Sequence, residues 1–316
     1  MNDIHEASEK FHAVLYADDT SLIEPLCTFD ISSQIRNFDK NIISQNINKE
    51  LQSIYNWLCV NKLSLNIPKT KFMIFHHKQR RIDHLVPDLE INGNHIEFVE
   101  TFNFLGITID ENLSFSPHIE KVSNKISRAA GILNKLKRIL PRHILRMLYN
   151  TLVLPHLQYG ILCWGRYKTD RLFKLQKRAV RNIKCSKYNA HTNPIFKDLK
   201  LLKVSDLYNL SLLKFFYKLK NGQLPYYFRD FLIYTSLDHS YNTRGRNEPQ
   251  VPLTRTTHAM NSARMYLPIF LESTPALISD KVNTHSKDGF SLYCKNYYIS
   301  QYDTICNIPG CYVCSQ

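Results

Sequence analysis

Two neighbouring carboxylates sit between runs suited to β-strands: Phe11 to Ile23 reads FHAVLYADDTSLI, with Asp18 and Asp19 at its centre. Ala13-Val14-Leu15-Tyr16 has the β-branched and aromatic character of a half-buried, paired strand. Adjacent carboxylates repel and lose hydration together, so a compensating charge is expected beside them. Mg²⁺ is the strongest candidate, because it takes hard oxygen ligands from one or two carboxylates together with substrate phosphates. Taken alone, the four letters favour a plainer reading, a β-hairpin turn that uses Asp for backbone reasons. The rest of the chain shifts that balance.

Two other groups could do chemistry. Near the end, Cys306, Cys311 and Cys314 follow a C-x4-C-x2-C spacing with Gly310 before the second cysteine. Three thiolates around a turn can hold Zn²⁺ if Cys294 or His285 supplies a fourth ligand; cysteines with no ligand role are the alternative. In the middle of the chain, Lys121, Lys125, Arg128 and Lys135 recur at helical spacing, as do Lys174, Lys177, Arg178, Arg181 and Lys184. Charged helix faces are usually solvated surface. Faces of nearly one sign repel themselves unless a polyanion is near, which puts nucleic-acid contact ahead of plain solubility.

The totals agree with a polyanionic partner. The 316 residues carry 41 Lys and Arg against 27 Asp and Glu, a net charge of +14. That excess points to nucleic acid or an acidic membrane surface. Hydrophobic residues make up 44%, a globular rather than a disordered composition. No window approaches the ~20 apolar residues of a membrane-spanning helix. The first ten residues lack the apolar core of a secretory signal. Eight cysteines without a disulfide-framework spacing then suggest an intracellular protein, of cytoplasm or nucleus, that is not secreted.

The elements that must position these groups are legible in outline. Ser32 to Val60 predicts a helix with Ile43, Ile47, Leu51, Ile54 and Leu58 on its buried stripe, widened by Trp57. Lys71 to His76 predicts a strand with Lys69 and Lys71 at its start. Asn92-Gly93 predicts a type I′ hairpin between Glu90-Ile91 and His95-Ile96. Phe102 to Ile109 predicts a single strand with a bulge or a close backbone approach at Gly106. Ser116 is expected to cap a helix running towards Leu140, with Pro117 at its first position. Helices follow at Arg142 to Val153, stopped by Pro155, at Asp170 to Lys184 and at Ser205 to Leu219. Tyr241 to Arg246 predicts an exposed basic loop, and Ser286 to Tyr298 a last helix.

Taken together and in order, these residues resemble the second half of the reverse transcriptases of non-LTR (LINE-type) retrotransposons. The resemblance rests on Tyr16-Ala17-Asp18-Asp19, Asn61-Lys62-Leu63-Ser64-Leu65-Asn66, Lys69-Thr70-Lys71 and Phe104-Leu105-Gly106-Ile107. It continues through Leu154 to Gly160, Trp164-Gly165, Leu175 to Ala179 and Tyr241 to Arg244. Each motif is weak, while their order over nearly the whole chain is specific.

The resemblance implies an α+β fold: a partial polymerase palm over 1–109, a helical thumb over 110–235, and an irregular carboxy-terminal region with the cysteine tail over 236–316. It implies that Asp18 binds the catalytic Mg²⁺ ions with Asp19 in support, and that Lys69 approaches the phosphates of an incoming dNTP. Phe104, Leu105 and Gly106 would form the primer grip. Lys121, Lys125, Arg128, Lys135, Lys174, Lys177, Arg178 and Arg181 would follow an RNA template and a DNA primer or target. In such enzymes two metals about 3.5–4 Å apart clamp the attacking 3′-oxygen and the leaving pyrophosphate. The chain starts just before the hairpin, so the fingers and a first palm aspartate are expected to be missing and the chain to be inactive alone. The alternative is a non-catalytic RNA- or DNA-binding remnant acting through the basic helices.

Overall fold

A computed structural model of the protein describes residues 3–17, 19–25, 40–80, 82, 85–232, 251, 253–254 and 256–302. The chain divides into two compact units, Met1–Leu113 and Ser114–Gln316. Asp18, residues 32–39 of the first expected helix, the Tyr241–Arg246 loop and Cys306, Cys311 and Cys314 lie outside the described residues.

The first unit is a set of short sheets against one helix. Strands β1 (His12–Tyr16) and β2 (Asp19–Ile23) form the expected antiparallel hairpin, and Ala17 after β1 has φ 51°. Helix α1 (Lys40–Val60) buries Ile47, Leu51 and Ile54, with Ile43, Trp57 and Leu58 half-buried beside them. It ends where expected: Lys62 turns left-handed and Leu63 N–H donates to Leu58 C=O at 2.9 Å. Ile47 and Leu51 join Leu89, Ile91 and Ile96 in one apolar cluster, on which Phe11 and Leu22 of the hairpin region also pack.

Strands β4 (Glu90–Ile91) and β5 (Asn94–His95) pair through Asn92 and Gly93, whose φ values of 49° and 71° are those of the expected type I′ turn. Asn48 of α1 holds this hairpin, accepting from Glu90 N–H at 3.0 Å and donating to Asp88 C=O at 3.2 Å.

Two expectations change here. The Lys71-to-His76 strand shrinks to β3 (Lys71–Phe72), because its parallel partner β6 (Glu97–Phe98) is only two residues long. His76 N–H donates instead to Glu111 C=O. The Phe102-to-Ile109 strand is two strands, β7 (Thr101–Phe104) and β8 (Ile107–Asp110), folded back on each other with Phe104 opposite Ile107. Leu105 and Gly106 both take positive φ, 46° and 82°, so the glycine makes a turn and not a bulge.

The second unit is helical. Helix α2 (Ser116–Leu136) buries Ile119, Val122, Ile126, Ala129, Ala130 and Leu133. The residue before it is a left-handed Phe115 at φ 53°, so Ser116 is its first residue and not its cap. Next come α3 (Arg142–Leu152), α4 (Leu154–Gln158) and α5 (Ile161–Trp164). Pro155 starts α4 as well as ending α3, since a first-turn proline lacks only an N–H that would be orphaned anyway. Helix α6 (Asp170–Lys184) packs on α2, and α7 (Asn193–Leu199) and α8 (Val204–Lys220) follow.

Gly165 is required by close approach. A Cβ there would lie 2.6 Å from the Ile161 carbonyl oxygen and 2.5 Å from the Tyr208 ring. The region expected to be irregular forms α9 (Thr257–Asn261), α10 (Ala263–Ser273), α11 (Ala276–Thr284) and α12 (Lys287–Ser300). Ser286 caps α12 through its Oγ, and Phe290 stacks on Tyr217 of α8 at 5.3 Å. Apolar side chains of this stretch complete the core of the second unit, which is why it is ordered helix. No helix among the described residues is long and apolar enough to cross a membrane.

Candidate nucleic-acid interface

The hairpin presents Asp19 on a solvent face. Cross-strand pairing puts Tyr16 opposite Asp19, Val14 opposite Ser21 and His12 opposite Ile23. Partners opposite each other share a face. That face is open: Tyr16 is 62% exposed, Ile23 52% and Val14 47%. The other face, with Ala13, Leu15 and Leu22, is half-buried. Ser8 fixes the approach to the hairpin, its hydroxyl donating to Glu50 of α1 at 2.6 Å while Phe11 N–H donates to it at 3.1 Å.

Lys69 closes a 3-10 turn over Ile67–Lys69 that is capped by Asn66, and it is exposed at the start of β3. Phe104, Leu105 and Gly106 form the tip of the β7–β8 hairpin, with the two larger side chains half-buried. No hydrogen bond or ion pair among the described residues joins Asp19 to Lys69. The three expected parts of a palm site therefore stand on separate small sheets and turns.

The basic residues are differently built. Lys121, Lys125, Arg128 and Lys135 are all exposed along α2. Buried Asn182 of α6 donates through Nδ2 to Ala130 C=O of α2 at 3.0 Å, and Arg171 donates to the Asn124 side chain at 3.4 Å and pairs with Glu120 at 3.9 Å. On α6, Lys174 and Arg178 are exposed and Lys177 and Arg181 half-buried. Partial burial, with Arg181, Lys174 and Lys203 nearby, holds the Lys177 ammonium below the ordinary lysine range. Its Nζ lies 4.5 Å from the Phe173 ring centre.

Not every cation stays available. Arg181 Nε–H donates to Ala190 C=O at 2.8 Å, and Lys184 pairs with Asp198 at 2.9 Å. Asp198 also pairs with Arg142. The field of α2 reaches His118 of the same helix and His156 of α4. Burial and then Lys121 and Lys125 lower His118, while burial and then Lys125 lower His156.

Two residues of this region carry no signal in the sequence. Lys203, just before α8, extends the α6 cations and rests over the Tyr302 ring at 4.3 Å. Gln176 looks like one more polar residue of a basic helix, yet it is fully buried. Its Nε2 donates to Tyr149 Oη and to Leu202 C=O, both at 2.9 Å, and its Oε1 accepts from Val204 N–H at 3.0 Å. The amide thereby ties α6 to α3 and satisfies an orphan donor at the start of α8.

Among the described residues no group of three or more His, Cys, Asp or Glu could hold a metal ion. Asp19, which is exposed, is the described member of the Asp-Asp pair. Cys294, expected as a fourth zinc ligand, is sealed in the core, where burial pushes its thiol up to about 12. His285, the other candidate, shares a 2.9 Å contact between its Nδ1 and the Thr284 hydroxyl.

Comparison with known proteins gives partial relatives. The RNA-directed DNA polymerase from mobile element jockey of Drosophila melanogaster is 30% identical over 128 residues, 38% of this chain and 14% of the relative. The probable RNA-directed DNA polymerase from transposon BS of the same organism is 28% identical over 125 residues, 37% of the chain and 14% of the relative. The jockey polymerase of Drosophila funebris is 23% identical over 200 residues, 60% of the chain and 20% of the relative. The chain thus spans at most about a fifth of the length of these curated relatives. No protein-family model and no solved structure matches it. Over part of its length, the chain is related to the RNA-directed DNA polymerases of non-LTR mobile elements of the jockey and BS kinds.

Proposed function

We propose that this chain is the segment of a retrotransposon reverse transcriptase that grips the phosphate backbone of the template–primer, through the outer cations of α2 and α6. The observation that carries the reading is the division of charge. Residues 114–316 hold 31 Lys and Arg against 11 Asp and Glu, whereas residues 1–113 hold 10 against 16. A folded body with that excess repels itself, and nucleic acid relieves the repulsion by exchanging its counterions for lysines and arginines. The helix pair α2–α6 is suited to such a grip. Its apolar stripe is locked in the core, so Lys121, Lys125, Arg128, Lys135, Lys174 and Arg178 stand on a rigid support.

In the parent enzyme, RNA-templated DNA synthesis from dNTPs would use the Asp18-Asp19 hairpin as one contributor of carboxylate oxygens to Mg²⁺, whose chemistry is to activate and orient the phosphates. Lys69, an exposed cation on a capped turn, is suited to meet the nucleotide's phosphates.

Binding of a labelled RNA–DNA duplex to the purified chain tests the reading. Affinity should fall steeply between low and moderate salt, and should survive Asp18→Asn. Replacing Lys121, Lys125 and Arg128 by Gln should flatten the salt dependence, because each lost phosphate contact removes about 0.9 from the log–log slope. A chain that ignores duplex and single strands alike at low salt would sink the proposal. Primer extension with Mg²⁺ and dNTPs separates the two functional classes. Extension abolished by Asp18→Asn assigns catalysis to this chain as well, and salt-sensitive binding without extension assigns it the binding role alone.

A further inference from the structure

We infer that Arg146, Lys200, Lys214 and Lys295 form a second phosphate-binding surface, which contacts the sugar–phosphate backbone of a nucleic acid without reading its sequence. It rests on the nucleic-acid reading above but uses none of the residues of the α2–α6 face. The four cations come from places far apart in the sequence: α3, the left-handed residue that ends α7 (φ 51°), the middle of α8, and α12. Helix α12 packs on both α7 and α8, and that packing creates the cluster. The Arg142–Asp198 pair sets α3 beside the end of α7, with Arg146 one turn on from Arg142 and Lys200 two residues on from Asp198, and the charges of Arg146, Lys214 and Lys200 all bear on Lys295.

Such a gathering is unfavourable in the free protein. Lys295, Lys214 and Arg146 are half-buried, so they lose hydration as well as repelling one another. Burial first, and then the three cations, hold the Lys295 ammonium below the ordinary lysine range. A fold that needed only stability would set a carboxylate among them. None of the four has an ion-pair partner among the described residues. Asp198, on the same α7, is engaged by Arg142 and Lys184, and Asp206 of α8 accepts from the Tyr302 hydroxyl.

Three half-buried cations and one exposed one suit a ligand that brings several negative charges at regular intervals. Lysine ammonium groups act as point charges that any phosphate satisfies, whereas reading base edges calls for planar, bidentate groups. Phosphodiester backbone is therefore the partner chemistry this surface fits.

The test uses the full chain and a fluorescein-labelled RNA–DNA duplex, with affinity measured by anisotropy across a salt series. The quadruple variant R146Q/K200Q/K214Q/K295Q should keep the wild-type circular dichroism spectrum and melt no lower, because it relieves repulsion. Its log–log salt slope should be shallower by about 3.6, at about 0.9 per contact. Should the quadruple variant fail to fold, the pair R146Q/K200Q should lower the slope by about 2, and K214R/K295R should leave it unchanged.

A folded quadruple variant with the wild-type slope overturns the inference, and leaves the α2–α6 reading standing if K121Q/K125Q/R128Q does flatten it. The same holds if the variant loses binding only to phosphatidylserine-containing vesicles and not to the duplex. Wild-type protein that binds no nucleic acid overturns both.

Discussion

The two units of this chain hold their functional residues in opposite ways. In the first, the described strands form four two-stranded sheets, and the core residues Ile47, Leu51 and Ile54 of helix α1 keep 6–8% of their surface exposed. Two-stranded ribbons are marginal by themselves, so this unit depends on α1 for its apolar burial. In the second, Leu133, Tyr149, Trp164, Leu172, Ala179, Phe196 and Leu212 are sealed completely. The charge divides the same way, a net acidic first unit and a strongly basic second one. The Asp pair therefore belongs to a lightly supported acidic unit, and the cations to a closely packed one. The cations proposed to grip a polyanion and the carboxylates proposed to ligate a metal therefore lie in separate units.

Variants confined to one unit can challenge this separation, and each unit holds one of the two tryptophans, Trp57 and Trp164. A Trp57→Phe background lets Trp164 fluorescence follow the second unit alone. The largest effect is expected from Gln176→Ala, which strands Val204 N–H, Leu202 C=O and the Tyr149 hydroxyl in the core. Each buried orphan costs about 1–3 kcal/mol, so urea unfolding followed by Trp164 should shift by about 3 kcal/mol or more. An unchanged midpoint would show that the amide does not hold the helices together.

Next in size is a contrast of charges. Removing Lys62, Lys69 and Lys78 from the first unit should barely alter the salt dependence of duplex binding. Removing Lys121, Lys125 and Arg128 from the second should lower the slope by about 2–3. Equal losses from both would erase the distinction between the units.

Gly165→Ala is expected to destabilise the second unit by about 1–3 kcal/mol, since the new methyl meets backbone as well as the Tyr208 ring. Thermal melting would register it. A smaller effect is pH-dependent. His118 is held below its ordinary 6.5 in the fold, chiefly by burial and then by Lys121 and Lys125. The unfolded chain therefore takes up its proton first as pH falls. Stability is complete above about pH 6.5 and declines from there down to the lower folded value. Melting of the wild type between pH 7.5 and 5 should show this decline in Trp164 fluorescence, the ring 5.6 Å from His118, and His118→Gln should reduce it. The smallest change is expected for Asp19→Asn. The side chain is exposed and makes no described bond, so stability should stay within about 0.5 kcal/mol.

Much of this architecture is legible in residue order. The hairpin at Asp18-Asp19, the α1 stripe, the Asn92-Gly93 turn and α6 with its basic positions follow from local periodicity and turn chemistry, which are carried by neighbours in sequence. Leu105-Gly106 is not legible as a turn, because leucine has no preference for positive φ and only cross-strand pairing imposes it there. The helices after residue 256 are hidden for a related reason. Their mixed composition gives a weak stripe, and burial against α8 stabilises them.

Residue order alone establishes a strand–Asp-Asp–strand hairpin, helices with cationic faces, and kinship with mobile-element polymerases. These depend on spacing within single elements and on motif order. Folding in three dimensions is what makes Gln176 a buried tie among three helices, leaves Asp19 and Lys69 without a shared bond, and brings Arg146, Lys200, Lys214 and Lys295 together. Those relations join residues tens to more than a hundred positions apart, and they exist only once apolar burial has brought separate helices into contact.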